Sequence, residues 1–221
     1  MVRDQIASRF RVSRGRLVVI HNGVDCERFR PGAGSRSERA SLTSALATEA
    51  PVWLFAGSGW QRKGIDTALR ALAASADSRT RLWVVGADRP GRWRDYAERL
   101  GVSPRVDFLG PRQDLDRVYR AADALLLPTR YDAFANVCLE AAASGIPIVT
   151  SRSNGSSELL DGAALVIADA EDTDSFAHAL DRLTDASLRS RLGARGRELA
   201  LGQSWSRHIE KLRTLYARVR S

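Results

Sequence analysis

Short apolar runs alternate with amphipathic stretches along this chain of 221 residues. The runs predict strands at Leu17–Ile20, Val52–Ala56, Leu82–Val85, Val106–Leu109, Ala124–Leu127, Ile146–Thr150 and Ala164–Ile167. The stretches between them predict helices near 36–48, 63–76, 91–101, 114–122, 136–144, 155–160 and 173–184. VWLFA, LWVVG and ALLLP are apolar at successive positions, as strands buried on both faces require. Alternating strands and helices give parallel βαβ units. The expected fold is α/β, a Rossmann-like doubly wound parallel sheet of about six strands. The two ends depart from the pattern. Residues 2–10 read as the last turns of a helix, and SWSRHIEKLRTLYARVRS as a helix with apolar positions at Trp205, Ile209, Leu212, Leu215, Tyr216 and Val219.

Composition narrows the class. An apolar fraction of 44% with 27% charged residues fits a globular protein. No uncharged apolar run approaches the roughly 18 residues that would span a bilayer. The stretch MVRDQIASRFRVSRGR has no apolar core of the signal-peptide kind, so a cytoplasmic location is the expectation. Two cysteines, Cys26 and Cys138, make no disulfide framework, and with three scattered histidines they make no zinc spacing. Cys138 reads as a small packing residue.

The net charge of +8 is carried by arginine, since Lys63 and Lys211 are the only lysines. It is concentrated at the ends: residues 1–40 hold nine arginines against four acids, and residues 202–221 hold four arginines and one lysine against Glu210. Basic ends suit an anionic membrane surface or an acidic partner, though a solvated arginine-rich surface is the simpler reading of a charge run alone. No basic stripe interleaved with aromatics points to nucleic acid.

Five segments carry candidate chemistry. In LPTRYDAFANVCLEAAASGIPIV, a strand, a polar loop and a helix follow one another, with Asp132 and Glu140 eight positions apart around the helix start. Backbone amides opening a helix make an anion site, and a carboxylate on each side grips sugar hydroxyls. Glu140 lies between Leu139 and Ala141 on an apolar helix, where a carboxylate needs a partner. In FAGSGWQRKGIDTALRAL, Gly57, Gly59 and Gly64 allow close backbone approach, and Arg62 and Lys63 supply countercharge for a diphosphate. By itself this is also what a surface turn with a solvated basic pair looks like. In FLGPRQDLDRVYRAADALLLP, Asp114 and Asp116 read as helix caps rather than metal ligands, and Arg112 lies at the same sheet edge. VIHNGVDCERFRPG is a turn in which His21 receives no role. In RSNGSSELLDGAALVI, Asn154 and Gly155 open a short helix that Glu158 complements electrostatically.

Taken in order, HNGVD, GSGWQRKG, FLGxxxDL and the Asp-x7-Glu element of YDAFANVCLEAAASGIPIV resemble the family-4 retaining glycosyltransferases of the GT-B fold, over nearly the whole chain. The last two elements carry the specificity. The resemblance implies one half of a GT-B fold that binds a nucleotide-sugar donor. In that scheme Glu140 holds the ribose hydroxyls and Asp132 contacts the transferred sugar. The backbone at Phe134, Ala135, Asn136 and Val137 meets sugar and diphosphate. Arg62 and Lys63 neutralise the leaving diphosphate, Gly57 and Ser58 lie beside it, and Arg112 lies by the base. Ser58 stands where many members carry arginine, and the Arg-Lys-Gly order is similar to the lipopolysaccharide-core glucosyltransferase subgroup. UDP-glucose is therefore the expected donor, with a glycan or lipid-linked acceptor. Neither metal nor cofactor is expected, and Asp132 is not cast as a nucleophile.

The resemblance also implies a division of the chain. Residues 1–14 are expected to be a remnant of a preceding acceptor-binding domain that is missing here. Residues 15–203 form the nucleotide-sugar-binding domain, and 204–221 a helix crossing back to the missing domain. Such a chain is expected to bind UDP weakly and to transfer no sugar, with a possible peripheral location at the inner membrane face. Two alternatives stay open: a GT-B-related nucleotide-sugar epimerase, and a non-catalytic nucleotide-binding or interaction module.

Overall fold

The structure, a computed structural model, describes residues 1–32, 39, 42 and 50–220. Six strands form one parallel sheet: β1 (Val52–Ala56), β2 (Arg81–Val85), β3 (Val106–Gly110), β4 (Ala124–Leu127), β5 (Ile148–Ser151) and β6 (Ala164–Ile167). Their order is β3-β2-β1-β4-β5-β6, each neighbouring pair parallel. β1 and β4 occupy the middle, and every residue of both is buried, which explains why their sequences are apolar without alternation.

The helices, numbered among the described residues, are α1 (Val2–Phe10), α2 (Ile65–Ala74), α3 (Gly91–Arg99), α4 (Leu115–Ala121), α5 (Asn136–Ala143), α6 (Thr173–Arg182), α7 (Ala186–Leu201) and α8 (Trp205–Arg220). α2 follows β1 and α5 follows β4, and each packs an apolar face on the sheet.

Three expectations change. Leu17–Ile20 is not a strand; it runs beside α8 with Val18 and Val19 exposed. A β-branched run makes a strand only where a sheet edge accepts it. Residues 155–160 form a 3₁₀ turn, Gly155–Leu159, rather than an α-helix. The 16-residue α7 was not expected, because arginines and two glycines break its periodicity. Those glycines are required by packing. A Cβ on Gly193 would lie 2.0 Å from Gly145 O, and one on Gly196 3.4 Å from Ala142 Cα, so α7 lies backbone to backbone on the end of α5. The helix expected at 36–48 lies largely outside the described residues.

Candidate functional site

Strand order reverses between β1 and β4, whose chain neighbours lie on opposite sides of the sheet. In an open α/β sheet this switch point leaves a crevice beyond the carboxyl ends of the strands. The glycine-rich loop leaves β1 there, and the Asp132 loop leaves β4 there. Two candidate motifs far apart in sequence therefore meet at one edge.

The two loops are stitched together. Arg130 N donates to Arg62 O at 2.9 Å, and Arg130 Nη1 to Gln61 O at 2.7 Å. Asp66, in the first turn of α2, holds the Arg130 guanidinium with bonds of 2.9 and 2.7 Å, and Glu171 takes its Nε at 2.9 Å. Burial pushes the Asp66 carboxyl up, but the Arg130 hydrogen bonds and charge outweigh it and hold the group below the ordinary carboxylate range. Gly64 lets the loops close. At φ 79° it sits in the left-handed region, and a Cβ there would lie 1.9 Å from Pro128 O.

Stitching brings the predicted cations onto the predicted carboxylate. Lys63 Nζ lies 3.1 Å from Asp132 Oδ2, and Arg62 Nη1 lies 3.3 Å from the same oxygen and 2.7 Å from Tyr131 O. Lys63 is buried to 7% exposure, whereas about half of the Arg62 side chain is exposed (51%). The Lys63 stem runs over Gly57, where a Cβ would come within 3.0 Å of Cε. Ser58 Oγ accepts from Ala87 N at 3.1 Å, and Asp88 accepts from Gly59 N and Trp60 N, which fixes the loop.

Asp132 does not cap α5. Its Oδ1 accepts from Phe134 N at 3.2 Å, and the N-cap position is Ala135, which has no side-chain cap. The amides of Asn136 and Val137 have no acceptor among the described residues, leaving the helix opening to solvent or an anion. Buried Asn154 builds this entrance. It accepts from Ala135 N and from Ser156 N and Oγ, and donates to Thr150 Oγ1 and Cys138 Sγ. Cys138 is a packing residue, its thiol pushed up to about 11 by burial.

Glu140 lies one turn into α5. Tyr119 of α4 donates to its Oε2 at 2.9 Å. Burial raises the Glu140 carboxyl above its ordinary value, and the Tyr119 hydrogen bond with the charges of Arg28 and Lys63 only partly offsets this. Arg112 is held by Asp114 through bonds of 2.8 and 2.6 Å. That pairing corrects the capping role expected of Asp114: it occupies the N-cap of α4, but its carboxylate is spent on Arg112.

The sequence reads the HNGVD loop as a turn and gives His21 no role; the structure places the loop against the opening of α5. Asn22 Nδ2 donates to Asn136 Oδ1 at 2.8 Å, and the His21 ring lies 5.5 Å from Phe134 and its Nε2 3.8 Å from Glu158 Oε2. α8 clamps this loop: His21 O lies 2.8 Å from His208 Nδ1, and a Cβ on Gly23 would lie 2.8 Å from Trp205 Cα. His21, Ala133, Gly155 and Glu158 line one side of a cavity of about 310 Å³ that the first residues of α1 close. Among the described residues no group of three or more His, Cys, Asp or Glu side chains could hold a metal, and no helix is long and apolar enough to cross a membrane.

The strand order and the two motif loops at the switch point define a doubly wound α/β domain of the GT-B type. The chain belongs to the group 1 glycosyl transferases, whose family model matches residues 50–186. It is 31% identical over 228 residues to a D-inositol 3-phosphate glycosyltransferase of Corynebacterium kroppenstedtii, covering 97% of this chain and 51% of the relative. Among solved structures, WaaG, a glycosyltransferase involved in lipopolysaccharide biosynthesis, superposes with a TM-score of 0.84 at 27% identity, over 95% of this chain and 58% of that one. HepE of Anabaena, solved with UDP and glucose, shares the fold with a TM-score of 0.77 at 22% identity, over 92% of this chain and 58% of that one. The chain thus spans about half the length of the curated relative it matches.

Proposed function

We propose that this chain is the donor-binding half of a retaining glycosyltransferase that uses a UDP-sugar, with UDP-glucose the first candidate. The observation that carries the reading is the convergence of Arg62 and Lys63 with Asp132 at the open start of α5, with Glu140 on the same helix. A nucleotide sugar needs all of these: countercharge for the diphosphate, backbone amides for its oxygens, and carboxylates for sugar and ribose hydroxyls.

In this scheme Glu140 accepts from the ribose hydroxyls, and Asp132 accepts from hydroxyls of the transferred sugar. Arg112, held by Asp114, lies by the base. As the glycosidic bond breaks, negative charge grows on the diphosphate, and Arg62, Lys63 and the amides of Asn136 and Val137 stabilise it where it forms. Those groups supply the countercharge without a metal. No side chain is assigned as nucleophile. The acceptor belongs to the half of the protein outside this chain, and the relatives' names differ on it, one an inositol phosphate enzyme and one a lipopolysaccharide enzyme. The exposed apolar residues of α1 and α8, Phe10, Trp205, Ile209 and Tyr216, suit cover by that half, and the basic ends suit a cytoplasmic protein at an anionic membrane surface.

Calorimetric titration of the chain with UDP, UDP-glucose, GDP-mannose and ADP tests the reading. Binding of UDP and UDP-glucose, abolished by Glu140→Ala, is the expected result. Unchanged affinity in that variant overturns the ribose assignment. Sugar transfer is expected only with the acceptor half present; robust turnover by the 221-residue chain contradicts that division of labour.

A further inference from the structure

Tyr119 comes from α4, a helix that carries none of the site residues read from the sequence. It is fully buried, and its ring is held edge-on by Phe29 at 5.8 Å between centroids. Its hydroxyl reaches two acceptors on α5, Glu140 Oε2 at 2.9 Å and Val137 O at 3.2 Å. The hydroxyl has one proton, and the charged, closer acceptor takes the stronger share. Among the described residues Glu140 Oε1 accepts no hydrogen bond, and the other charged groups acting on the carboxylate are Arg28, from the turn after HNGVD, and Lys63.

We propose that Tyr119 is a positioning residue for donor binding: its hydroxyl holds the Glu140 carboxylate ionised and oriented, leaving Oε1 and the second lone pair of Oε2 for the ribose diol. The inference rests on the ribose role of Glu140 given above. Burial of this half-buried carboxyl raises it above its ordinary value and so works against the ionised form. Once protonated, it carries a donor where the diol needs acceptors, and the same side chain then opposes the ligand it should bind. Donation from Tyr119 favours the ionised form and ties Oε2 of the carboxylate to α4. A hydroxyl fixed in the core does what a mobile water at that position would do less reliably.

Tyr119→Phe keeps the ring and removes only the hydroxyl, and two measurements on the 221-residue chain test its effect. With carboxyl-labelled glutamate, the NMR titration of Glu140 is expected to move to higher pH in the variant; an unmoved titration overturns the proposal. Calorimetry with UDP and with 2′,3′-dideoxy-UDP separates positioning from packing. The variant is expected to lose about tenfold on UDP and about nothing on the dideoxy probe. Glu140→Gln should remove most of that difference, so that adding Tyr119→Phe has little further effect. Equal loss on both probes means packing alone and overturns the Tyr119 role. A wild-type chain that binds both probes equally instead sinks the ribose role of Glu140, while the NMR titration still decides whether Tyr119 controls its ionisation.

Discussion

Lys63 Nζ donates to Asp132 Oδ2 at 3.1 Å across 69 positions of sequence. The cation comes from the loop after β1 and the carboxylate from the loop after β4, and each neutralises the other where the two central strands end. A diphosphate that recruits Lys63 therefore competes with Asp132, whereas a sugar hydroxyl that recruits Asp132 cooperates with that exchange.

Asp132→Asn separates these effects. It frees Lys63 and Arg62 for a diphosphate, so affinity for UDP should rise by about threefold, the scale of a partly exposed ion pair. The advantage of UDP-glucose over UDP should shrink at the same time. Calorimetry with both ligands reads the two together, and equal weakening of both would show that Asp132 only shapes the loop.

Lys63→Met removes the more buried cation but preserves the stem that packs over Gly57. Asp132 keeps only the half-exposed Arg62. A stability loss of about 1–3 kcal/mol in urea denaturation is expected, with UDP affinity down by about tenfold or more. Unaltered UDP affinity would place the diphosphate elsewhere.

Two glycines of similar φ separate strain from collision. Gly64 and Gly101 both lie in the left-handed region, at 79° and 70°. A Cβ on Gly101 meets nothing within 4 Å, whereas one on Gly64 meets Pro128 O at 1.9 Å. Gly101→Ala should cost about 1–2 kcal/mol, the backbone strain alone. Gly64→Ala should cost clearly more and loosen the stitched loops; similar melting temperatures for the two would refute the close approach.

Asp66 gives the pH dependence. Its carboxyl is lower in the folded chain than in the unfolded one, because the Arg130 bonds outweigh burial. The folded state therefore binds fewer protons there, and stability rises with pH across that window. The contribution is complete above the unfolded value of about 3.9 and is lost as pH falls through the folded value. Comparing Asp66→Asn with wild type by urea denaturation, the gap should be widest near neutral pH and close in acid. A constant gap would mean the pair contributes only packing.

The central strands were legible because burial on both faces leaves no polar position to disguise them: VWLFA and ALLL run as expected, and so does the helix at Asn136–Ala143. Leu17–Ile20 carries the same local signal and is not a strand, since β propensity needs a neighbouring edge. α7 was hidden for the opposite reason. Its glycines read as helix breakers, and only the approach of Gly193 to Gly145 O shows what they are for. Asp114 holds the N-cap position the sequence offered, but its carboxylate pairs with Arg112 rather than with the helix amides.

The sequence by itself determined the strand–helix alternation, the fold class and the residue types that could meet a charged sugar ligand, because local periodicity and side-chain chemistry are properties of short segments. Tertiary structure alone decided which of them act together. The reversal of strand order between β1 and β4 brings Lys63 to Asp132, the α4–α5 packing puts Tyr119 on Glu140, and Asn154 reaches from the end of β5 to the opening of α5. Each of these depends on where crossover segments come to lie, which is set by how whole layers pack rather than by any local pattern.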